Sequence, residues 1–159
     1  MKEYDYGQTG SYFVTICTVG RTPILSRIAV GRAATLHDDI RRLALPLEVK
    51  LTKIGRIADK YICNINTVYK GITVDKYVIM PNHIHMLITV TNGGLRASRP
   101  TIPTVVRSFK RMVTREVGRS VFQPSFYDHV VRGERDYWEI WQYIDNNPAR
   151  WAEDKLYTE

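Results

Sequence analysis

The stretch ITVDKYVIMPNHIHMLITV, residues 72–90, decides how the rest of the chain is read. Two runs rich in β-branched and aromatic residues, 72–80 and 83–90, flank Met80-Pro81-Asn82-His83. Proline presets φ at the second turn position and asparagine tolerates the third. The spacing predicts a hairpin of two strands. It also predicts that His83 and His85, two residues apart on the return strand, point from one face near a strand end. Two imidazoles so placed can hold one cation. An isolated pair of this kind is more often two half-exposed strand histidines, and two ligands leave an ion under-coordinated, so a third should be found elsewhere.

Working outward, SYFVTICTV (11–19) has strand composition and ends at Gly20. Residues 21–50 are mixed: LHDDIRRLA (36–44) suits a short helix and LEVKLT (47–52) alternates like a strand. From Thr52, an expected N-cap, apolar residues at helical spacing run to about Tyr69. Beyond the hairpin, Gly93-Gly94 and Pro100 mark a loop. Residues 102–118 form an amphipathic helix, with Val105, Val106, Phe109, Met112, Val113 and Val117 on one side and arginines on the other. FYDHVV (126–131) is a short strand. A last helix runs from about Glu134 to near Pro148. The order β-α-β-β-α-β-α is that of a ferredoxin-like split βαβ sandwich, class α+β: an antiparallel sheet with helices on one face, plus a C-terminal helix. Residues 1–159 are expected to form a single domain.

The 159 residues carry 23 Lys and Arg against 16 acids, a net charge of +7, which favours a polyanionic partner. The excess is uneven. Between Leu95 and Arg119 there are seven bases and one acid, whereas Glu134–Glu159 holds seven acids and three bases. Arg107, Lys110, Arg111 and Arg115 form a stripe suited to a phosphate backbone, and Arg132 is counted with them. A solvated helix face is the plainer account of such a stripe. Cys17 and Cys63 belong to no CxxC pair and are expected to be small core residues of a reducing compartment. No signal pattern or membrane-spanning run appears, so a soluble cytoplasmic protein is expected.

The last helix offers a third ligand. Tyr143 and Asn147 are four apart and so share a helical face. Asparagine supplies a carbonyl oxygen, and tyrosine a hydroxyl that becomes a nucleophile on deprotonation. Core packing for Tyr143 and helix capping for Asn147 are the simpler readings. Tyr127 and Tyr137 are alternative phenols, Glu139 an alternative ligand, and His129 a candidate base.

Hydrophobic-Pro-Asn-His-hydrophobic-His, followed by a helix bearing Tyr-x-x-x-Asn before proline, resembles the HUH single-strand transposases with one catalytic tyrosine. FQPSFYDHVVR followed by YIDNNP is most similar to the REP-associated tyrosine transposases. The resemblance implies a single-stranded DNA endonuclease and strand transferase acting near hairpins. It implies a 5′-phosphotyrosine intermediate, with Tyr143 as nucleophile and His83, His85 and Asn147 on Mg2+ or Mn2+. Relatives include single-chain forms and homodimers, so either a monomer or a homodimer is expected. Two rivals share the fold. One is a non-catalytic nucleic-acid-binding module, and the other is a metal hydrolase that uses activated water.

Overall fold

The computed structural model describes residues 9–30, 47–91 and 100–156. Its centre is the hairpin read first. β4 (Ile72–Ile79) and β5 (His83–Val90) pair antiparallel with Ile79 opposite Ile84, and the Met80 N–H donates to the His83 carbonyl to close the turn. A register shift between Val74 and Lys76 forms a bulge at Asp75, whose carboxylate accepts hydrogen bonds from Thr89 and Tyr137. β1 (Gly10–Cys17) pairs antiparallel with β5 on one side and with β6 (Tyr127–Val130) on the other. The four-stranded order is β4-β5-β1-β6, the split βαβ arrangement expected.

Strand alternation divides the side chains between two layers. Tyr12, Val14 and Ile16 of β1 and Ile84, Met86 and Ile88 of β5 point to one face. There they pack with α1 (Lys53–Val68) and α2 (Ile102–Val117) through Ala58, Ile62, Val105, Val106, Phe109 and Val113. Both helices start where a threonine hydroxyl can accept from the third residue on: Thr52 from the Gly55 N–H and Thr101 from the Thr104 N–H. α2 stops at Gly118, whose φ of 83° completes a left-handed cap. The opposite face carries Phe13, Leu87 and both histidines, and receives α3 (Gly133–Asn146) through Ile140 and Ile144.

The mixed region contains a second hairpin. Leu47–Leu51 (β3) is a strand as its alternation indicates, and it pairs with β2 (Ser26–Val30), for which no expectation was formed. The helix expected over 36–44 lies outside the described residues. Cys17 is buried in keeping with its reading, but Cys63 is exposed on α1, because its position falls outside the apolar stripe of that helix. Among the described residues, no helix is long and apolar enough to cross a membrane.

Candidate active site

The site forms where the first residues of β5 meet the last turn of α3. The register sets Cys17 opposite His83 and Thr15 opposite His85. His83 and His85 are both buried, with ring centroids 4.4 Å apart. Each ring is held at Nδ1. The Asn82 amide nitrogen donates to the Arg21 and Leu156 carbonyls, so its Oδ1 is left to accept, 2.8 Å from His83 Nδ1. His83 therefore carries its proton on Nδ1 and presents a lone pair at Nε2. His85 Nδ1 lies 2.8 Å from the Thr15 hydroxyl. Partners of this sort orient imidazoles that bind metals through the other nitrogen.

Asn147 occupies the C-cap position of α3, as its plainer reading held, yet its side chain is buried and turned toward the histidines. Burial without a partner is costly for a polar atom, so exceptions require an explanation. His83 Nε2, His85 Nε2 and Asn147 Oδ1 are three such atoms. They are the ligand atoms that a cation would take, and the donor set fits one.

A fourth group was not foreseen. Asp154 offers a carboxylate oxygen that, with one nitrogen from each histidine, lies within a cluster of 4.8 Å, and its Oδ2 is 3.7 Å from His83 Nε2. It also accepts from Asn147 Nδ2 at 3.1 Å. Asp154 follows a 3-10 turn (Pro148–Glu153), and neither period nor spacing marks it in an acidic tail.

Tyr143 stands beside this cluster. Its ring is 5.4 Å from that of His85 and meets Phe13 edge-on at 5.9 Å, while 45% of the residue stays exposed. All three line an open cavity of about 710 Å³, with Thr15, Tyr127, Asn147 and Asp154 among the other walls. Burial and then the Asp154 charge hold the phenol above its ordinary range, against the opposing pull of Asn147 and Arg150. The remaining phenols differ. Tyr137 donates to Asp75 Oδ2 at 3.0 Å and is pushed up to about 12, chiefly by burial. Tyr127 lines the cavity from β6. Glu139 is paired with Arg135, and His129 with Asp136. His129, on β6, stands opposite Phe13 and is not among the residues lining the cavity.

Burial also pulls His83 down to about 4, against the upward pull of Asp154, and pulls His85 well below its ordinary value, with His83 adding to the effect. Both rings are therefore neutral and ready to ligate. The unfolded chain binds more protons than the folded one between these values, so stability is lost as pH falls from about 6.5 toward 4. For His83 the shift from 6.5 to about 4 corresponds to about 3 kcal/mol. Metal-free protein is expected to show a falling Tm across that window and little change above it. A flat profile would show that the rings are not buried neutral.

The basic residues divide. Arg107, Arg111 and Arg115 are exposed on α2, and Arg132 is exposed just before α3. Because α2 covers the other face of the sheet, its arginines stand behind the histidines rather than around them. Lys110 has a structural role as well. Its ammonium donates to the carbonyls of Gln123, Pro124 and Ser125, at 2.7, 3.3 and 2.6 Å, tying down the chain that leads into β6. Counting charges along a helix could not reveal those carbonyls.

No family model matches the chain. It is 28% identical to an uncharacterized Haemophilus influenzae protein, over all of this chain and 91% of that one. It is 27% identical over 78 residues to a REP-associated tyrosine transposase of Escherichia coli K12, covering 48% of this chain and 44% of the relative. A solved REP-associated tyrosine transposase bound to a REP hairpin superposes with a TM-score of 0.60 at 20% identity, over 94% of this chain and 74% of that one. The chain is thus similar in sequence, over about half its length, to a REP-associated tyrosine transposase and shares the fold of a solved structure of that name.

Proposed function

We propose that this chain is a single-stranded DNA endonuclease and strand transferase, a transposase of the HUH kind that acts through Tyr143. The observation that carries the reading is a group of three buried, unpartnered ligand atoms, on His83, His85 and Asn147, of which His85 and Asn147 line one cavity together with the half-exposed Tyr143 phenol. The similarity to REP-associated tyrosine transposases supports it.

In this reading His83, His85 and Asn147 hold a divalent cation, Mg2+ or Mn2+, whose oxygen-accepting chemistry suits the amide and the nearby carboxylate. When bound, such a cation supplies Lewis-acid stabilisation to the phosphoryl oxygens and favours the phenolate. The side chains do the rest. Asn82 and Thr15 fix the imidazoles so that neither ring must reorient. Tyr143 Oη forms a bond to phosphorus as the bond to the 3′ oxygen breaks. The phenol gives up its proton, the departing oxygen gains one, and a 5′-phosphotyrosine and a 3′-hydroxyl remain. The link preserves the phosphodiester's energy, so another 3′-hydroxyl can reverse the step.

The substrate in this reading is single-stranded DNA bearing a hairpin. Arg132 lies close in sequence to α3, and Arg107, Arg111 and Arg115 receive flanking phosphates behind the sheet. Tyr127 and Trp138, both exposed, offer stacking surfaces to unpaired bases. The protein works in the cytoplasm, as one domain, and as a monomer or a homodimer.

The test is direct. Protein incubated with Mn2+ and end-labelled hairpin-bearing single strands, then denatured on a gel, is expected to give a labelled band at protein mass that mapping assigns to Tyr143. Cleavage without the band would favour activated water. Binding without cleavage would favour a non-catalytic module.

A further inference from the structure

We propose that the segment after α3 is a strap that delivers Asp154 to the cation as an additional ligand, and that cation binding and strap docking are one coupled event. The inference rests on the metal-dependent reading above and adds to it a residue from a different part of the chain.

The strap is built into the site at three points. The Asp154 side chain is only 5% exposed, and its Oδ2 lies 3.7 Å from His83 Nε2. The Leu156 N–H donates to Asp154 Oδ1 at 2.8 Å, which turns the other oxygen inward. The Leu156 carbonyl in turn accepts from Asn82 Nδ2 at 2.6 Å. Asn82 is the same amide that holds His83 Nδ1, so one buried side chain ties the orientation of a histidine to the position of the strap. Trp151 adds cover, its ring 5.9 Å from that of His83, and the 3-10 turn lies against β3.

The energetics favour a cation beside Asp154. A carboxylate taken out of water needs charged or multiple polar partners. The Leu156 N–H and the Asn147 amide supply hydrogen bonds to its two oxygens, and a cation held at His83 Nε2, 3.7 Å from Oδ2, would add the opposite charge. Asn147 Nδ2 donates to Asp154, which leaves Asn147 Oδ1 facing the same space as the two Nε2 atoms. Two nitrogens, an amide oxygen and a carboxylate make a set with one negative charge. By linkage, a strap that raises cation affinity must itself be held more firmly when the cation is present.

The full-length protein is titrated with Mn2+ by calorimetry, and backbone hydrogen exchange of residues 148–156 is followed with and without Mn2+. Wild-type protein should bind Mn2+ and show slower exchange in the strap. Asp154→Asn, which keeps shape and removes charge, should weaken Mn2+ binding at least tenfold and abolish the added protection, with Asp154→Ala behaving alike. His83→Ala serves as the reference for loss of the whole site. If His83→Ala loses Mn2+ while Asp154→Asn keeps wild-type affinity and protection, the strap proposal is overturned and the metal site stands. If wild-type protein binds no Mn2+, the metal-dependent reading fails, and the strap with it.

Discussion

Tyr143→Phe is expected to reduce cleavage of hairpin-bearing single strands by at least about a thousandfold and to eliminate the protein–DNA adduct, because only the attacking oxygen is removed. The ring contacts with Phe13 and His85 involve no hydroxyl, so the variant should keep its Tm while losing only the hydroxyl's hydrogen bond with Asn147. A thousandfold loss is about 4 kcal/mol of transition-state stabilisation, far beyond what repacking a half-exposed ring changes. Tyr137→Phe is the informative partner. Its hydroxyl is bound to Asp75 on the flank of α3, so that variant should still form adduct. Single-turnover assays on both separate the phenols. Cleavage by Tyr143→Phe within tenfold of wild type would remove the tyrosine from the chemistry and point to activated water at the same histidines.

Gly55→Ala is expected to destabilise the protein by about 3 kcal/mol or more, an effect independent of any function. A Cβ added there would lie 2.0 Å from the Leu25 carbonyl oxygen. That oxygen cannot retreat easily, since it accepts from both the N–H and the hydroxyl of Thr52, each at 3.0 Å. The same threonine caps α1, so relieving the clash must either break the cap or lift the helix from the chain entering β2. Chemical denaturation at neutral pH measures the loss. A variant as stable as wild type would mean that α1 sits farther from Leu25 than described.

The sheet and its helices were legible because each is a local signal. Alternation marked 72–90, the apolar spacing after Thr52 marked α1, and proline with asparagine marked the turn. The shared face of His83 and His85 follows from the same alternation. Other features depend on neighbours distant in sequence and leave no period behind. Asp154 reaches the histidines only because a 3-10 turn folds the chain back after Asn147. Lys110 belongs by spacing to the basic stripe, but the carbonyls of 123–125 claim it. The hairpin of β2 with β3 was obscured because its two strands are separated by sixteen residues of mixed pattern. The equivalence of His83 and His85 was also incomplete in the sequence: their partners, Asn82 and Thr15, come from the turn and from a strand about seventy residues away.

The two apolar clusters are unequal, and that inequality sets the order in which the molecule comes apart. Among the described residues, twenty-one buried ones join α1 and α2 to their face of the sheet, whereas the cluster beneath α3 has three, Leu87, Ile140 and Ile144, with partly buried Phe13, Val78, Val131, Tyr137 and Trp141 packed against them. Polar ties to β4, Lys76 with Asp145 and Asp75 with Tyr137, supply much of the remaining grip. Segments held by so few apolar contacts open sub-globally at a fraction of the free energy of complete unfolding. On warming, α3 should therefore peel away first and carry its phenol out of reach while the imidazoles stay seated in an intact sheet. Heat inactivation would then precede melting, and cooling would restore both without refolding the scaffold.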